Sequence, residues 1–363
     1  MLALLSLCAW IYLFFAHGFF WRSLPQLPKA VPQEFPEVDI IVPARDEAET
    51  IQAAIASLLG QDYCGKFRVL LIDDNSTDGT ASLAGSAPNL QVIRLESKPS
   101  GWSGKLWALH QGVAASCAPI LLLTDADIVH QPGHLASLLA KLQDAQLDLV
   151  SEMVRLNCRS IAERLLVPAF VYFFQMLYPF AKVNDPRSAV AAAAGGTILA
   201  RRAALERIGG IAAIKDALID DVALAKEIKR GGPIFLAHSG LAASARPYPK
   251  FADIWRMISR TAFTQLRYSS ALLVLTIAGL TIVWLVPPWE AIFGNGWRFG
   301  CGLASCMLAA FSYMPTLIRY RCNKLAALAL PLIAMFYMAA TAGSAVNYWR
   351  GKGASWKNRA YPR

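Results

Sequence analysis

The sequence predicts an α/β protein with a doubly wound, mostly parallel sheet, an N-terminal membrane anchor and C-terminal transmembrane helices. Three observations support this fold class. Short, continuously apolar runs alternate with segments whose apolar residues recur at helical spacing, which is typical of a parallel sheet covered by helices. Three of those runs end in clusters of polar and acidic residues. Charge-free runs of about 20 residues, enough for a transmembrane helix, lie at both ends of the chain.

The composition is that of a membrane protein. Of the 363 residues, 55% are hydrophobic and 17% are charged, and the mean hydropathy is +0.39. Charge-free runs cover 1–21, 268–289, 299–318 and 325–349. We expect an uncleaved anchor over the first run, because no basic residue precedes it and no small-x-small cleavage site follows it. The other runs predict about three transmembrane helices within 268–349.

The net charge and the positions of the Cys and His residues argue against several classes of protein. The net charge is +10, yet no block of Lys and Arg forms a nucleic-acid arm. The basic balance therefore indicates lipid headgroups and a phosphorylated substrate, and no nucleic acid. The 7 cysteines form no C-x-x-C pair, so we expect reduced residues. His130 and His134 have helical spacing, but Pro132 and Gly133 lie between them, which predicts a loop and no ligand pair.

The α/β domain is predicted over 38–267, after a proline-rich linker at 22–37. "VDIIVPARDE" predicts a buried strand that closes at Pro43. "AETIQAAIASLLGQ" predicts a helix that stops at Gly60. "FRVLLIDDNSTDGT" predicts a second buried strand, followed by a helix, the strand "LQVIRL", the helix "KLWALHQGVAAS" and the strand "PILLLTDAD". Ligands bind beyond the carboxyl ends of strands in such sheets, so one site can collect the three polar clusters, Pro43–Glu47, Asp73–Asp78 and Asp125–Asp127.

The pattern changes beyond Val150. The aromatic-rich run 165–181 is charge-free but short for a span. We expect an interfacial helix or a wall that faces lipid, with a buried core helix as the alternative. "AAAAGGTILARRAALERIGG" predicts a strand and a helix that closes at Gly209–Gly210. "ALIDDVALAKEIKRGG" predicts a helix with two acids near its start.

The acids at the strand ends indicate chemistry. Asp125 and Asp127 are two hard oxygen donors, which suit Mg²⁺ or Mn²⁺ completed by substrate phosphates. Such a metal would neutralise a diphosphate leaving group. In "IDDNSTDGT", an Asx-type turn explains the polar residues 76–78 but not Asp73 and Asp74, which can accept from a base N–H or a ribose hydroxyl. Arg45, near another strand end, can meet a phosphate.

Together these motifs resemble a known family. "VPARDEAETI", "IDDNSTDGT" and "LLLTDADI" match, in order and spacing, the motifs of family 2 glycosyltransferases of the GT-A fold. "KPSGWSGKLWALHQG" resembles their glycine- and lysine-bearing loop, and "LIDDVALAKEIKRGG" their Glu-Asp motif, with Asp220 where Glu is usual. The apolar flanks and the basic tail at 350–363 resemble membrane-bound members such as ceramide glucosyltransferases. "SGWSGKLWAL", "GGTILARR" and "AFTQLRYS" resemble the hopanoid-biosynthesis-associated branch.

The resemblance implies a role for each matching residue. Asp221 would be the catalytic base that deprotonates the acceptor hydroxyl, with Asp220 as the other candidate. From the residues alone, helix N-capping is the alternative for this pair. Asp127 would bind the metal directly, and Asp125 would touch ribose or a metal-bound water. Lys105 would meet the diphosphate. The further nucleotide-sugar-binding residues would be Pro43, Arg45, Glu47, Asp74 and Ala126.

One family motif is imperfect. Related membrane transferases carry Gln/Arg-x-x-Arg-Trp near the membrane, whereas this chain has "WRMISRTAFTQLRYS". Arg256, Arg260 and Arg267 are candidates for contact with the donor diphosphate or a lipid headgroup, and Arg260 is the one placed among the donor-binding residues. Because processive polymer synthesis in the family depends on that motif, its loss favours transfer of a single sugar.

The sequence therefore predicts an inverting, metal-dependent transferase that moves a sugar from a nucleotide-diphosphate donor, such as a UDP-sugar, to a membrane lipid such as a hopanoid. The alternatives are a polysaccharide synthase, a polyprenyl-phosphate sugar transferase and a degenerate membrane scaffold. Lys and Arg concentrate in 22–267 and at 319–324, and the positive-inside rule puts both in the cytoplasm of a multi-pass protein of the bacterial inner membrane. Four spans would leave the basic tail outside, against that rule.

Overall fold

The structure is a computed structural model that describes residues 1–23, 25–351, 355–356 and 359–360. Contacts divide the chain into two compact units, which we name the helical unit and the sheet unit. Most of the predicted basic tail lies outside the described residues. The helical unit comprises Met1–Ser23, Cys158–Ala181 and Tyr248–Ala354, and the sheet unit comprises Leu24–Asn157, Lys182–Pro247 and Ser355–Arg363.

The described strands lie in an eight-stranded sheet and a two-stranded hairpin. The strands are β1 Val38–Ala44, β2 Phe67–Asp73, β3 Leu90–Arg94, β4 Ile120–Leu123, β5 Ile128–His130, β6 Leu149–Arg155, β7 Ile198–Arg201, β8 Ile234–Ser244, β9 Ser355–Trp356 and β10 Arg359–Ala360. The order of the larger sheet is β3-β2-β1-β4-β7-β6-β8-β5. β1 is parallel to β2 and β4, as are β2 to β3 and β6 to β8, whereas β7 and β5 run antiparallel to their neighbours. The predicted mostly parallel sheet is confirmed.

The helices alternate with the strands of the sheet unit and dominate the helical unit. They are α1 Leu2–Phe15, α2 Ile51–Leu59, α3 Thr80–Leu83, α4 Gly104–Ala114, α5 His134–Asp144, α6 Ile161–Leu177, α7 Phe180–Asn184, α8 Arg202–Arg207, α9 Asp220–Lys229, α10 Phe251–Gln265, α11 Ser270–Leu280, α12 Val286–Phe293, α13 Trp297–Arg319 and α14 Leu330–Trp349. The loop predicted between His130 and His134 is a turn of three residues, 131–133, in which His130 ends β5 and His134 begins α5.

The core of the sheet unit is continuous and apolar. Every residue of β1 and β4 is buried, because helices cover the sheet. α4 lies close against β1, where a Cβ on Gly112 would come within 2.4 Å of Ile41. Only glycine permits this approach, which fixes the helix whose first turn carries Lys105.

The helical unit contains three helical segments that are long and apolar enough to cross a membrane, among the residues described. They are Ser270–Phe293, Trp297–Arg319 and Lys324–Trp349, of 24, 23 and 26 residues. These segments confirm the three C-terminal runs predicted from the sequence.

Two other apolar segments differ from the expectation in detail. α1 has 14 residues, or about 21 Å at 1.5 Å per residue, short of a hydrocarbon core of about 30 Å. The anchor over 1–21 therefore stays a prediction. α6 begins at a capping box of Ser160 and Glu163 and buries one face, including Val167 and Tyr172. That burial agrees with the alternative of a core helix, and its position at a bilayer stays a prediction.

Candidate active site

The candidate site lies at the carboxyl ends of β1 and β4 in the sheet unit, where ligands bind in such sheets. β4 ends at Leu123, and the turn closes when Ile128 N–H donates to the Asp125 carbonyl at 3.2 Å. Ala126, between the two acids, is buried with 4% of its surface exposed. The short apolar strand thus delivers both carboxylates to the edge of the sheet.

Lys105 joins two of the predicted acids. Its Nζ lies 2.9 Å from Asp125 Oδ1 and 3.0 Å from Asp220 Oδ2. Burial alone would lower the pKa of the Lys105 ammonium, but Asp125 and Asp220 outweigh it and raise that pKa well above its usual value. Lys105 is therefore a permanent cation at the mouth of the site, which suits contact with an anionic donor.

Asp221 lies beside this ion-pair cluster. Its Oδ2 accepts the Gly195 N–H at 2.9 Å and its Oδ1 accepts the Val222 N–H at 2.8 Å. Burial raises the pKa of Asp221 to about 7; the charge of Asp220 adds to the effect and Lys105 opposes it. A carboxylate with a pKa near neutrality is suited to general base catalysis.

The surroundings of Asp221 explain its pKa and form a small cavity beside it. A cavity bounded by Lys105, Asp125 and Asp221 has an apolar wall made of Leu106, Leu109, Leu123, Ile198, Ile211, Ile214 and Leu224. A Cβ on Gly195 would lie 3.2 Å from Lys105 Nζ and 3.5 Å from Asp221 Oδ2. Glycine at this position therefore keeps the space between the charged groups open.

N-capping does not account for the Asp220–Asp221 pair. The N-cap of α9 is Ile219, and no side chain accepts a capping hydrogen bond there. The two acids occupy the first turn, where the positive end of the helix dipole favours a negative charge. Asp220 is directed to Lys105, and Asp221 accepts the Gly195 N–H in addition to the Val222 N–H of its own helix.

Arg246 is a site residue that the sequence analysis missed. It follows β8, and its Nε donates to Asp127 Oδ2 at 2.7 Å while its Nη2 donates to the two Glu47 oxygens at 2.7 and 2.6 Å. Burial opposes its charge, but Asp127 and Glu47 outweigh that effect and raise the pKa of Arg246. Arg246 also lies just after the end of a strand, which is the same sequence signal that pointed to the acids.

The acids after β2 bind mainly to their own and the neighbouring turn. Asp73 accepts from the Ser76 N–H at 3.2 Å and from its hydroxyl. Asp78 accepts from Thr80 N–H at 3.0 Å and from Ala48 N–H at 2.9 Å. Burial opposes ionisation of Asp78, but these hydrogen bonds outweigh it and lower its pKa. The turn explanation therefore extends to Asp73, which the sequence analysis had kept as a ligand-binding candidate.

The remaining predicted residues fall into three places. Pro43 lines the cavity with Lys105. Arg45 Nη1 donates to the Asp74 carbonyl and lies 3.8 Å from its Oδ2. Arg260 lies on α10, in the helical unit, and its contact with the donor stays a prediction.

The donor set fits a hard divalent cation whose remaining ligands come from a substrate. Within the described part of the chain, no three His, Cys, Asp or Glu side chains are grouped to hold a metal ion. Mg²⁺ commonly uses only one or two carboxylates together with substrate phosphates and water, and Asp125 and Asp127 provide that number. Two cations, Lys105 and Arg246, lie among five carboxylates, which belong to Glu47, Asp125, Asp127, Asp220 and Asp221. The excess of negative charge favours a further cation.

Comparison with known proteins identifies the family of a domain within the chain. Residues 39–209 match the family described as Glycosyl transferase family 2. The succinoglycan biosynthesis protein ExoU of Rhizobium meliloti (strain 1021) is 36% identical over 109 residues, 29% of this chain and 30% of that protein. An N-acetylglucosaminyltransferase of Neorhizobium galegae is 31% identical over 175 residues, 47% of this chain and 38% of that protein. These matches span less than half the length of either relative.

A solved structure supports the fold. The mannosyltransferase PcManGT from Pyrobaculum calidifontis, in complex with GDP-Man and Mn²⁺, superposes with a TM-score of 0.58. The superposition covers 97% of this chain and 100% of that chain, at 22% sequence identity. The chain therefore contains a family 2 glycosyltransferase domain with the GT-A fold, which confirms the resemblance at the level of the family. The hopanoid-associated branch stays a prediction.

Proposed function

We propose that this chain is an inverting, metal-dependent glycosyltransferase that moves a sugar from a UDP-sugar to a hydroxyl of a membrane lipid. The observation that carries the proposal is Asp221, a half-buried carboxylate with a pKa of about 7 beside Lys105 and Asp125. An acceptor hydroxyl is a poor nucleophile, so a positioned base near neutrality accelerates its attack. A single in-line displacement at the anomeric carbon inverts its configuration.

The residues divide the work between donor and acceptor. Asp221 takes the proton from the acceptor hydroxyl, while the Gly195 N–H keeps its Oδ2 oriented. Lys105 binds the diphosphate oxygens. Asp125 and Asp127 would hold Mg²⁺ or Mn²⁺, which supplies charge neutralisation to the diphosphate leaving group when bound. Arg246 keeps Asp127 and Glu47 together on the donor side.

The nucleoside end of the donor is assigned to the turns after β1 and β2. Pro43, Glu47 and Asp74 would hold the base and ribose, with Arg45 oriented by its bond to the Asp74 carbonyl. The Mn²⁺ and GDP-Man bound by PcManGT support a nucleotide-sugar donor with a divalent metal. UDP is preferred here over GDP from the family resemblance alone, so both donor classes belong in the test.

A lipid acceptor is supported by the rest of the chain. The three membrane-length helices would keep the protein at a bilayer, and the apolar wall beside Asp221 favours an acceptor with an apolar body. We place the catalytic domain on the cytoplasmic side of a bacterial inner membrane, following the positive-inside rule. A hopanoid is the specific lipid that the sequence resemblance favours.

A second candidate is a polysaccharide synthase or a polyprenyl-phosphate sugar transferase. The similarity to ExoU, named for succinoglycan biosynthesis, favours this class. The imperfect Gln/Arg-x-x-Arg-Trp motif opposes processive synthesis. The product separates these enzymes. A polysaccharide synthase releases a ladder of lengths, a single-sugar lipid transferase releases one glycosylated lipid, and a polyprenyl-phosphate sugar transferase releases one product whose mass contains polyprenyl phosphate.

The test uses the purified full chain in detergent with a panel of UDP- and GDP-sugars, in Mn²⁺ or in EDTA, with and without a bacterial lipid extract containing hopanoids. We expect metal-dependent release of free nucleotide from one donor, stimulated by lipid, and one glycosylated lipid by mass spectrometry. A protein that neither releases nucleotide nor binds UDP with Mn²⁺ would be a scaffold, and the proposal would be wrong.

A further inference from the structure

A chain of four buried polar side chains runs through the sheet unit behind the candidate site. Thr124, His130, His134 and Glu152 have 2%, 3%, 0% and 1% of their surface exposed. Thr124 Oγ1 lies 3.0 Å from His130 Nε2, His130 Nδ1 lies 2.8 Å from His134 Nδ1, and His134 Nε2 lies 2.6 Å from Glu152 Oε2. Polar groups so far from water are costly unless they bond to one another, so these four form one network.

The number of available hydrogens allows the network two arrangements, in which all the hydrogen bonds run in opposite directions. Thr124 has one hydroxyl hydrogen, and Gly196 O, which can only accept, lies 2.7 Å from Thr124 Oγ1. If the hydrogen points to Gly196, His130 Nε2–H donates to Thr124, His134 Nδ1–H donates to His130, and one further proton lies between His134 and Glu152. Turning the hydroxyl to His130 reverses each bond and removes that proton. The two ends of the chain are therefore coupled.

His130 fits this arrangement as a neutral ring. Burial lowers the pKa of His130 well below its usual value, and His134 adds to the effect. A neutral imidazole has one donor nitrogen and one acceptor nitrogen, which matches its two ring partners. The backbone N–H of His130 donates to Ser57 Oγ at 3.0 Å, which further fixes its position.

The chain ends where two functional turns meet. Thr124 directly precedes Asp125 in the sequence. Gly196 follows Gly195, whose N–H donates to Asp221 at 2.9 Å. The Thr124–Gly196 bond therefore joins the turn that carries the donor-side acid to the turn that holds the base.

The Gly195–Gly196 turn receives a second support from the strand that carries Glu152. Ser151 Oγ accepts the Ala194 N–H at 2.9 Å and donates to Thr197 O at 2.9 Å. β6 thus contacts the turn directly through Ser151 and through the network that starts at Glu152.

We propose that Thr124, His130, His134 and Glu152 are positioning residues for sugar transfer, which fix the Asp125 turn relative to the turn that holds Asp221. This inference rests on the proposed function and concerns the bonds of these four side chains to one another and to the two turns; Thr124 also lines the candidate cavity. Catalysis depends on such registration, since a displacement of about 1 Å can cost about 100-fold in rate. Donor binding uses only the turn that carries Asp125, so it depends less on how the two turns are placed relative to each other.

The first test compares Thr124→Val, which keeps the shape without the hydroxyl, with Thr124→Ser, which keeps the hydroxyl, in the full-length protein in detergent. For Thr124→Val we expect kcat to fall about 10- to 100-fold, while the affinity for UDP with Mn²⁺ stays within about twofold. Hydrogen–deuterium exchange should accelerate in both turns, 124–128 and 194–197. Thr124→Ser should restore the rate and the protection.

A distant member of the network tests its continuity. Glu152→Gln keeps the shape of the side chain but cannot share a proton with His134 in the same way, and the same two turns should lose protection, with a smaller fall in kcat. Ser137→Ala is the matched control, because it removes another buried hydroxyl from the helix of His134, one that bonds Gly133 O. Ser137→Ala should leave the hydrogen–deuterium exchange of both turns unchanged.

The outcomes separate this inference from the proposed function. If the wild type neither turns over a donor nor binds UDP with Mn²⁺, the proposed function is wrong, and the exchange data still decide whether the network joins the two turns. If Thr124→Val and Glu152→Gln keep wild-type exchange in both turns, or keep the wild-type kcat, the positioning role is wrong even though the transferase is real.

Discussion

Two acid-rich turns follow the two strands that flank β1, and their carboxylates have different partners. After β2, Asp73 and Asp78 accept hydrogen bonds from Ser76, Thr80 and Ala48, which lie in the same turn or in the neighbouring one. After β4, Asp125 and Asp127 form ion pairs with side chains delivered from other parts of the chain, Lys105 and Arg246.

The difference separates structural acids from candidate functional ones. A carboxylate bonded to backbone N–H groups of its own turn stabilises that turn, as N-caps and Asx turns do. A carboxylate that meets a cationic side chain at the edge of a sheet can exchange that partner for a metal cation, which frees the cationic side chain to bind a phosphate. In the turns after β2 and β4, the partner of an acid therefore separates a structural acid from a candidate metal ligand; Asp221, whose hydrogen bonds are to backbone N–H groups, is assigned from its raised pKa instead.

The largest expected effect is at Asp221. Asp221→Asn should lower kcat about 10²- to 10⁴-fold, the range typical of a lost general base, with donor affinity retained. Steady-state transfer to lipid measures it, with Asp216→Asn, an exposed acid before α9, as the control. Normal transfer by Asp221→Asn would assign the base to Asp220 or another residue.

Asp127 tests the donor side. Asp127→Ala should weaken metal-dependent donor binding by about 100-fold or more, since losing even an outer partner of a metal ligand commonly costs 10- to 100-fold. Asp78→Ala, the equivalent change in the other turn, should bind like the wild type. Calorimetric titration with UDP and Mn²⁺ measures both variants, and equal affinities would remove the distinction between the turns.

The pH dependence tests the environment of Asp221. Its pKa is raised to about 7, so the protonated, inactive acid accumulates as pH falls through that value. The transfer rate should drop about tenfold per pH unit below the pKa and level off above it. A rate that stays constant down to the usual pKa of an aspartate would contradict the assignment of Asp221 as the base.

The smallest effect is expected at Asp78. Asp78→Asn should lower the free energy of unfolding by about 1 kcal/mol, the usual value of a capping side chain, with transfer nearly unchanged. Thermal unfolding and the transfer assay measure the two quantities. A tenfold or larger loss of donor affinity, which corresponds to about 1.4 kcal/mol of binding free energy, would show a role in donor binding that the local hydrogen bonds of this turn do not predict.

The sequence predicted the parts of the site that are local. Asp125, Asp127 and Asp221 stood out because each lies where a regular segment begins or ends, and three motifs in fixed order gave the family. The parallel sheet followed from apolar runs that alternate with helical periods. The residues of the turn after β2 were harder to assign, because Asp73 and Asp74 are adjacent and only their partners differ.

The contacts that escaped prediction depend on tertiary structure. Arg246 is separated by 199 residues from Glu47 and by 119 from Asp127, and they meet only because β8 pairs with β5. His130 and His134 seemed to lie in a loop because of the Pro-Gly pair between them. Gly133 takes a φ of 79°, which lets α5 begin directly after a tight turn and brings the two rings together.

The central claim is that the acids after β4 bind a nucleotide-sugar through a divalent metal. One measurement tests it most directly: calorimetric titration of the wild-type protein with UDP and with GDP, in Mn²⁺ and again in EDTA, which requires no acceptor. The account predicts binding in Mn²⁺ that is lost in EDTA. Equal affinity in both conditions would contradict the metal, and no binding in either would contradict the donor site itself.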